Sequence, residues 1–152
     1  MSGFTTGIWS APEYRGKSMT AIIVITHGHF GRELLQTAQD IVGRQENVAA
    51  LSVTQESGIS QLSDAISKTC GQFSDSTEVL FLVDMLGGTP CNTAIMKSKD
   101  KSWEIVTGVN LYMLISAFRH RGDLDVKALS EKIAADGKRA ITLPRDMLKK
   151  AL

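Results

Sequence analysis

Short apolar runs that alternate with helical periodicity constrain this chain more strongly than any other feature of its sequence. Residues 21–25 (AIIVI) and 79–83 (VLFLV) contain no polar side chain, which is typical of strands buried on both faces of a parallel sheet. Each run is followed by a segment in which apolar residues recur at helical spacing. This alternation predicts an α/β fold, a mostly parallel doubly wound sheet of about four strands with helices on both faces.

The other predicted elements follow from the same two periodicities. Gly43 is expected to cap the end of the first helix, and Pro90 suits the first turn of the third. Gly137 is expected to end the last helix, and a short β-like stretch at residues 140–143 follows it. The predicted strands are 21–25, 48–53, 79–83 and 104–106, and the predicted helices begin near residues 30, 59, 90, 111 and 126.

Composition and charge exclude several classes of protein. The chain has 152 residues, 43% of them apolar and 22% charged, which matches one ordinary domain with a hydrophobic core. A net charge of +1 provides no field that would attract nucleic acid, so no nucleic-acid partner is expected. The apolar runs fall well short of the roughly 20 residues that span a bilayer. Cys70 and Cys91 form neither a CxxC pair nor a zinc-like spacing, which indicates a reduced, cytoplasmic protein.

Residues 1–18 differ from the rest of the chain. They are polar, contain several turn-forming residues and lack the continuous apolar stretch of a signal peptide. Because the periodic sequence begins right after Met19, we expect residues 1–18 to be a disordered N-terminal extension and the functional domain to begin there. The alternative is a peripheral strand or arm that packs through Trp9.

Two predicted loops carry residues suited to chemistry. His27 follows the first strand and Asp84 follows the third, and these strands can be neighbours in a right-handed doubly wound sheet. A carboxylate on one ring nitrogen of a histidine fixes the tautomer and leaves the other nitrogen free to attack. It also stabilises the cationic ring that forms when the free nitrogen takes a phosphoryl group. We therefore expect His27 and Asp84 to act as a pair.

The loop after Asp84 is suited to an anion. Gly87, Gly88 and Thr89 precede Pro90 at a predicted helix start, so their backbone amides lie at the positive end of a helix dipole with no Cβ in the way at the two glycines. A phosphoryl group on His27 would fit beside them. Each of these signals is weak alone, and the combination at neighbouring strand ends predicts a site of phosphoryl transfer.

Three motifs also carry a family resemblance. Thr26-His27-Gly28 after the first strand, LVDMLGGTP at residues 82–90 and Gly108-Val109-Asn110 after the fourth strand resemble the IIA component of the mannose/fructose/sorbose family of bacterial phosphoenolpyruvate-dependent sugar phosphotransferase systems. The similarity covers about residues 20–143. It identifies residues 19–152 as a phosphocarrier domain of this family.

The resemblance implies a phosphotransferase with a phosphohistidine at His27 and Asp84 as its partner. The phosphoryl group would come from the histidine-containing phosphocarrier protein and go to a IIB component, with the IIC and IID membrane components as indirect partners in sugar transport. No metal or organic cofactor would take part. The family also forms homodimers in which a C-terminal strand is exchanged, and residues 140–143 are the candidate segment. The chain departs from the family pattern at Cys91, where a bulky aromatic is common, and at Tyr112, where proline is usual.

Several alternatives stay open at this point. The protein could instead be a related phosphocarrier for dihydroxyacetone phosphorylation, or a regulatory module phosphorylated on the same histidine. His29 could join His27 and Asp84 in a metal site. Cys91 could be a redox thiol, although a small core thiol is the simpler interpretation. His120 is most simply a surface residue at a helix end.

Overall fold

The computed structural model of the protein describes residues 19–73 and 78–151. The predicted N-terminal extension, residues 1–18, lies outside the described residues. The elements in chain order are β1 (Ala21–His27), α1 (Phe30–Val42), β2 (Val48–Val53), α2 (Ile59–Cys70), β3 (Val79–Val83), α3 (Thr89–Ser98), β4 (Trp103–Thr107), α4 (Leu111–His120), α5 (Val126–Arg139) and α6 (Pro144–Ala151).

The four strands form one parallel sheet in the order β2-β1-β3-β4. β1 and β3 are therefore neighbours, as predicted, and pair in register from Ala21 opposite Val79 to Ile25 opposite Val83. β1 continues for two residues beyond this pairing and stays paired with β2 as far as His27 opposite Val53. His27 is thus the last residue of β1, whereas the sequence places it just past the strand.

Both faces of the sheet are covered, which confirms the predicted α/β fold class. Ile22 and Val24 of β1 contact a cluster formed with α1, α4 and α5, whereas Ile23 and Ile25 contact a cluster formed with α2 and α3. All four side chains are fully buried. This division follows from the strand period of two, which sends successive apolar side chains to opposite faces.

The connections after β1 and β3 leave the sheet in opposite directions, because α1 packs on one face and α3 on the other. A crevice opens at the carboxyl ends of two parallel strands where such connections diverge. The fold therefore provides the place for a site between the loops that begin at His27 and Asp84.

The prediction that Gly137 ends a helix is wrong. α5 continues to Arg139, and Gly137 is buried within it. A Cβ at Gly137 would lie 2.5 Å from Cγ of Met113 in α4. This glycine therefore lets α5 pack closely on α4 and does not terminate it.

Residues 140–143 are not a strand in the single chain. Ala140 lies in a turn, the next three residues have no regular structure, and the helix α6 follows, which the sequence analysis did not predict. Pro144 at its first position is compatible with a helix start. A strand exchanged between two copies of the chain stays a prediction.

In the part of the chain that the structure describes, no helix combines the length and the apolar character that crossing a bilayer requires.

Candidate active site

The backbone of His27 is fixed by its pairing with β2. Its residue pair in β2 is Val53, whose carbonyl also accepts a hydrogen bond from the N–H of Gly28 at 2.9 Å. Gly28 then turns the chain with φ of +57°, a conformation that favours glycine. The side chain of His27 is 49% exposed, so its ring is open to another molecule.

Asp84 contacts His27 in two ways. Its Oδ2 accepts a hydrogen bond from the backbone N–H of His27 at 2.8 Å and lies 2.8 Å from Nδ1 of the ring. Its Oδ1 accepts a hydrogen bond from the N–H of Met85 at 2.9 Å, which holds the carboxylate in its own loop. The structure therefore brings His27 and Asp84 together, as the sequence predicts, and leaves Nε2 as the ring nitrogen without this bond.

The contacts of Asp84 favour its ionised form. Partial burial raises the pKa of the carboxyl group, but the hydrogen bonds from the N–H and the ring of His27, the positive charge that this ring can carry and the N–H of Met85 together outweigh burial. The net result is a pKa below the ordinary value. Asp84 is therefore a carboxylate at neutral pH, which favours the proton of a neutral His27 ring on Nδ1.

The loop from Gly87 to Thr89 lies next to this pair. Gly87 has φ of +79°, Gly88 is the N-cap residue of α3, and Thr89 and Pro90 begin that helix, as predicted. Asn92 stabilises the turn, since its backbone N–H bonds the carbonyl of Gly88 at 3.0 Å and its side-chain amide bonds that of Gly87 at 3.3 Å.

The backbone amides in the first turn of α3 lie next to His27. No side chain caps this helix, so the amides of Thr89 and Cys91 in its first turn have no partner within the helix, and Pro90 has no amide hydrogen to offer. A Cβ on Gly88 would lie 3.1 Å from Cε1 of His27, which shows how closely the imidazole approaches the helix start. The histidine and the uncapped amides are therefore adjacent.

The other sequence candidates do not join this site. Within residues 19–73 and 78–151, no group of three or more His, Cys, Asp or Glu side chains is placed to hold a metal ion, so His29 does not complete a site with His27 and Asp84. Cys91 is 1% exposed and packs in the cluster under α3, as a core thiol does. His120 lies in the last turn of α4 and is partly buried.

Two features of the site were missed from the sequence. Met85 and Leu86, directly after Asp84, are 55% and 76% exposed, and the only signal for them is a pair of apolar residues in a loop after a strand. Thr26 is fully buried, and its Oγ1 accepts a hydrogen bond from the N–H of Gly31 at 2.7 Å, which anchors the start of α1 below His27. A Cβ on Gly31 would lie only 2.9 Å from that hydroxyl.

Comparison with known proteins decides the family. A family model described as the PTS system fructose IIA component, EIIA-man, matches residues 21–134. The chain belongs to the EIIA-man family. It is 35% identical over 104 residues to the PTS system mannose-specific EIIAB component of Escherichia coli (strain K12), an alignment that covers 68% of this chain and 32% of that protein. The chain thus spans about a third of the length of that EIIAB relative.

Two further comparisons extend over more of the related chains. This EIIA-man family member is 29% identical over 133 residues to the PTS system fructose-specific EIIA component of Bacillus subtilis (strain 168), covering 87% of this chain and 91% of that protein. It is also similar to the solved structure of the mannose/sorbose specific IIA subunit of the phosphotransferase system from Enterococcus faecalis, with a TM-score of 0.75 and 30% identity. This alignment covers 83% of this chain and 95% of that chain.

The lowered pKa of Asp84 predicts a pH-dependent contribution to stability. Because the folded-state pKa lies below the unfolded value of about 3.9, the carboxylate stabilises the fold fully above that pH and loses this contribution as the pH falls through the folded-state pKa. We expect Asp84→Asn to lower the free energy of unfolding at pH 7, and we expect this deficit to shrink below about pH 4. Urea unfolding of both proteins from pH 7 to pH 3 measures it.

Asp64→Asn is the matched control, since Asp64 is an exposed carboxyl on α2. It should change the free energy of unfolding by no more than about 0.5 kcal/mol. A deficit for Asp84→Asn that is the same at pH 7 and pH 3 would contradict the assignment of a stabilised carboxylate.

Proposed function

We propose that the protein is a phosphocarrier of a sugar phosphotransferase system, in which His27 accepts a phosphoryl group from the histidine-containing phosphocarrier protein and transfers it to a IIB component. The observation that carries the proposal is the 2.8 Å contact between Nδ1 of His27 and Oδ2 of Asp84, on an imidazole that is half exposed. Membership in the EIIA-man family supports the same role. The IIC and IID membrane components would be indirect partners in the coupled uptake and phosphorylation of a sugar.

The proposed transfer joins two imidazoles. Nε2 of the neutral His27 ring attacks phosphorus as the P–N bond to the donor histidine breaks, and the electron pair of that bond returns to the donor ring. Nδ1 of His27 keeps its proton, so the phosphorylated ring is a cation that faces the carboxylate of Asp84. Transfer to the IIB component reverses these bond changes and leaves His27 neutral again. The proposed step at His27 uses no metal or organic cofactor.

The phosphoryl group itself would be held by Gly87, Gly88 and Thr89. The three phosphoryl oxygens carry negative charge, and the uncapped first-turn amides of the helix α3, which begins next to the ring, are the donors that we propose for them. Such preorganised amides stabilise charge without reorganising during transfer. These amides would stabilise the phosphoryl group during its transfer more than they would stabilise the binding of either protein partner.

The surroundings of His27 fit a protein donor and a protein acceptor. Phe30, three residues after His27, is 50% exposed, and Met85 and Leu86, directly after Asp84, are exposed as well. Apolar side chains that flank a reactive, half-exposed group are typical of a contact surface for another protein. Because one histidine must meet both partners, the two would bind this surface in turn.

We infer in addition that the protein forms a homodimer. β4 is an outer strand of the sheet, and a groove of about 540 Å³ lies between it and α5. Ile141 and Leu143 are 81% and 71% exposed in the single chain. A segment containing these residues, supplied by a second copy and paired along β4, would cover both apolar side chains and the free strand edge.

The first prediction from this proposal concerns the phosphorylated residue. Incubation with labelled phosphoenolpyruvate, enzyme I and the histidine-containing phosphocarrier should add one acid-labile phosphoryl group, and His27→Ala should abolish the labelling because it removes the acceptor nitrogen. His29→Ala, two residues along the chain, is the matched control and should be labelled like the wild type. The assignment is wrong if His27→Ala is labelled normally and His29→Ala is not.

A second prediction concerns the carboxylate. Asp84 uses two acceptor oxygens, for His27 and for Met85, whereas an asparagine has one oxygen and would turn an NH₂ group toward one of these donors. We expect Asp84→Asn to slow phosphoryl transfer by about 100-fold, because the charge that stabilises the cationic ring is lost. Rapid-quench transfer rates at 25 °C, where both proteins are folded, measure the effect.

If Asp84 merely holds its loop, asparagine should replace it with little effect on transfer. A transfer rate for Asp84→Asn within about threefold of wild type would therefore exclude a role for Asp84 as the catalytic partner of His27. Asp64→Asn again serves as the control for the loss of one negative charge.

The third prediction concerns the oligomeric state. Light scattering at tens of micromolar should give twice the mass of the chain, and Ile141→Asp combined with Leu143→Asp should give the mass of a single chain, since charged side chains would oppose burial of this segment. Ile59→Asp, at an apolar residue 58% exposed on α2, should stay dimeric. A wild-type monomer, or a dimer that survives the double substitution, would contradict strand exchange.

A further inference from the structure

Gly88 lies close to the imidazole of His27. A Cβ built at Gly88 would lie 3.1 Å from Cε1 of His27, 3.5 Å from Cγ of Met85 and 3.6 Å from Cδ of Pro90. Cε1 is the ring carbon between Nδ1 and Nε2. The space that a side chain at Gly88 would need is therefore limited by the edge of the imidazole that carries Cε1.

The backbone at Gly88 does not explain why glycine stands there. Its φ of −76° and ψ of 168° lie in the extended region that any residue adopts, in contrast to φ of +79° at Gly87. Gly88 is also an N-cap residue, a position where serine, threonine, aspartate and asparagine are strongly preferred. Neither conformation nor helix stability requires glycine, so the space beside the ring is the remaining constraint.

We propose that Gly88 is a positioning residue for His27: the absence of a side chain lets the imidazole lie against the start of α3 while Nδ1 stays bonded to Asp84, and it leaves the first-turn amides uncapped beside Nε2. This inference rests on the proposed function, and it adds a role for Gly88 that differs from phosphoryl binding. The role is exerted on the ring before any phosphoryl group arrives.

A methyl group at Gly88 would act on the ring first. Carbon atoms pack best at about 3.5–4.0 Å, so a contact of 3.1 Å requires a shift of a few tenths of an ångström. The bond from Nδ1 to Asp84 and the last strand pair of β1 hold His27 on its other side. The ring therefore has to stretch that bond or turn Nε2 away from α3.

A capping side chain at Gly88 would have a second effect. An N-cap hydroxyl accepts from the amide two or three positions later in the helix, and Pro90 at the second position has no amide hydrogen. Serine at this position would therefore take the N–H of Cys91, one of the two first-turn amides that remain. It would stabilise α3 and weaken the site at the same time.

Gly58 provides a matched control. It is the N-cap residue of α2 with φ of −76° and ψ of 158°, nearly the same conformation as Gly88, but a Cβ there would meet no atom within 4 Å. The same substitutions at Gly58 thus change a helix cap without contacting His27.

The experiment compares Gly88→Ala and Gly88→Ser with Gly58→Ala and Gly58→Ser. Single-turnover transfer is measured over a range of phosphorylated carrier-protein concentrations, which separates the maximal rate from the half-saturating concentration. We expect the Gly88→Ala substitution to lower the maximal rate about tenfold with half-saturation unchanged, since a misplacement of 1 Å can cost about 100-fold. Gly88→Ser should lose at least as much although its melting temperature is equal or higher, and both Gly58 variants should transfer within about twofold of wild type.

Nitrogen NMR of the His27 ring gives a readout that does not depend on transfer. The wild type should show a proton held on Nδ1, and this signal should broaden or shift in both Gly88 variants but not in the Gly58 variants. Wild-type maximal rates and unchanged ring signals in the Gly88 variants would overturn the proposal. A loss confined to half-saturation would also overturn it, because that result would assign Gly88 to partner docking.

Phosphoramidate separates this inference from the proposed function. This small donor phosphorylates a histidine by forming the Nε2–P bond as its own P–N bond breaks and ammonia leaves, without any protein partner. If the wild type accepts no phosphoryl group from the carrier protein, the proposed function fails, and labelling of His27 by phosphoramidate still tests Gly88. Equal phosphoramidate labelling of wild type and both Gly88 variants would then contradict the positioning role.

Discussion

The pairing of β1 with β3 is the constraint on which the rest of the site depends. The two strands are far apart in sequence, and their parallel pairing ends at Ile25 and Val83, just before His27 and Asp84. β1 then continues along β2, which carries the backbone N–H and the ring of His27 to one oxygen of Asp84. Any change in the order or register of these strands would separate the pair, since a shift by one residue sends each side chain to the other face.

The exposure of this pair is a compromise between two electrostatic requirements. A carboxylate and an imidazole that were fully buried would lose their hydration, at a cost that their mutual attraction rarely repays. At the surface, water would weaken the attraction and leave the ring free to turn. Asp84 is 17% exposed and accepts three N–H contacts, whereas His27 is 49% exposed. The carboxylate is thus held by the fold, and the ring that it orients stays accessible.

The sequence predicts the features of this protein that depend on local patterns. The apolar composition of residues 79–83 predicts that this strand is buried, and Pro90 predicts the start of α3. The contact between His27 and Asp84 is predicted because each follows one of two neighbouring strands. Gly137 was misread because the same residue type serves as a helix cap and as a close packing contact, and only the position of Met113 distinguishes the two. The contact of Gly88 with the ring of His27 does not follow from the sequence, since it depends on two loops that meet in the fold.

The N-caps of the helices show why glycine at α3 is a property of the site and not of helix starts in general. Asn110 caps α4 by accepting from Met113 N–H at 3.0 Å, and Asp125 caps α5 by accepting from Ala128 N–H at 2.8 Å. α2 and α3 both begin at a glycine without a side-chain cap, so the missing cap alone carries no meaning. At Gly58 the space beside the glycine is open, whereas at Gly88 the imidazole fills it. A better cap would fit at Gly58 without conflict. At Gly88 its side chain would compete with the histidine for the same volume and would occupy the N–H of Cys91 in the same helix turn.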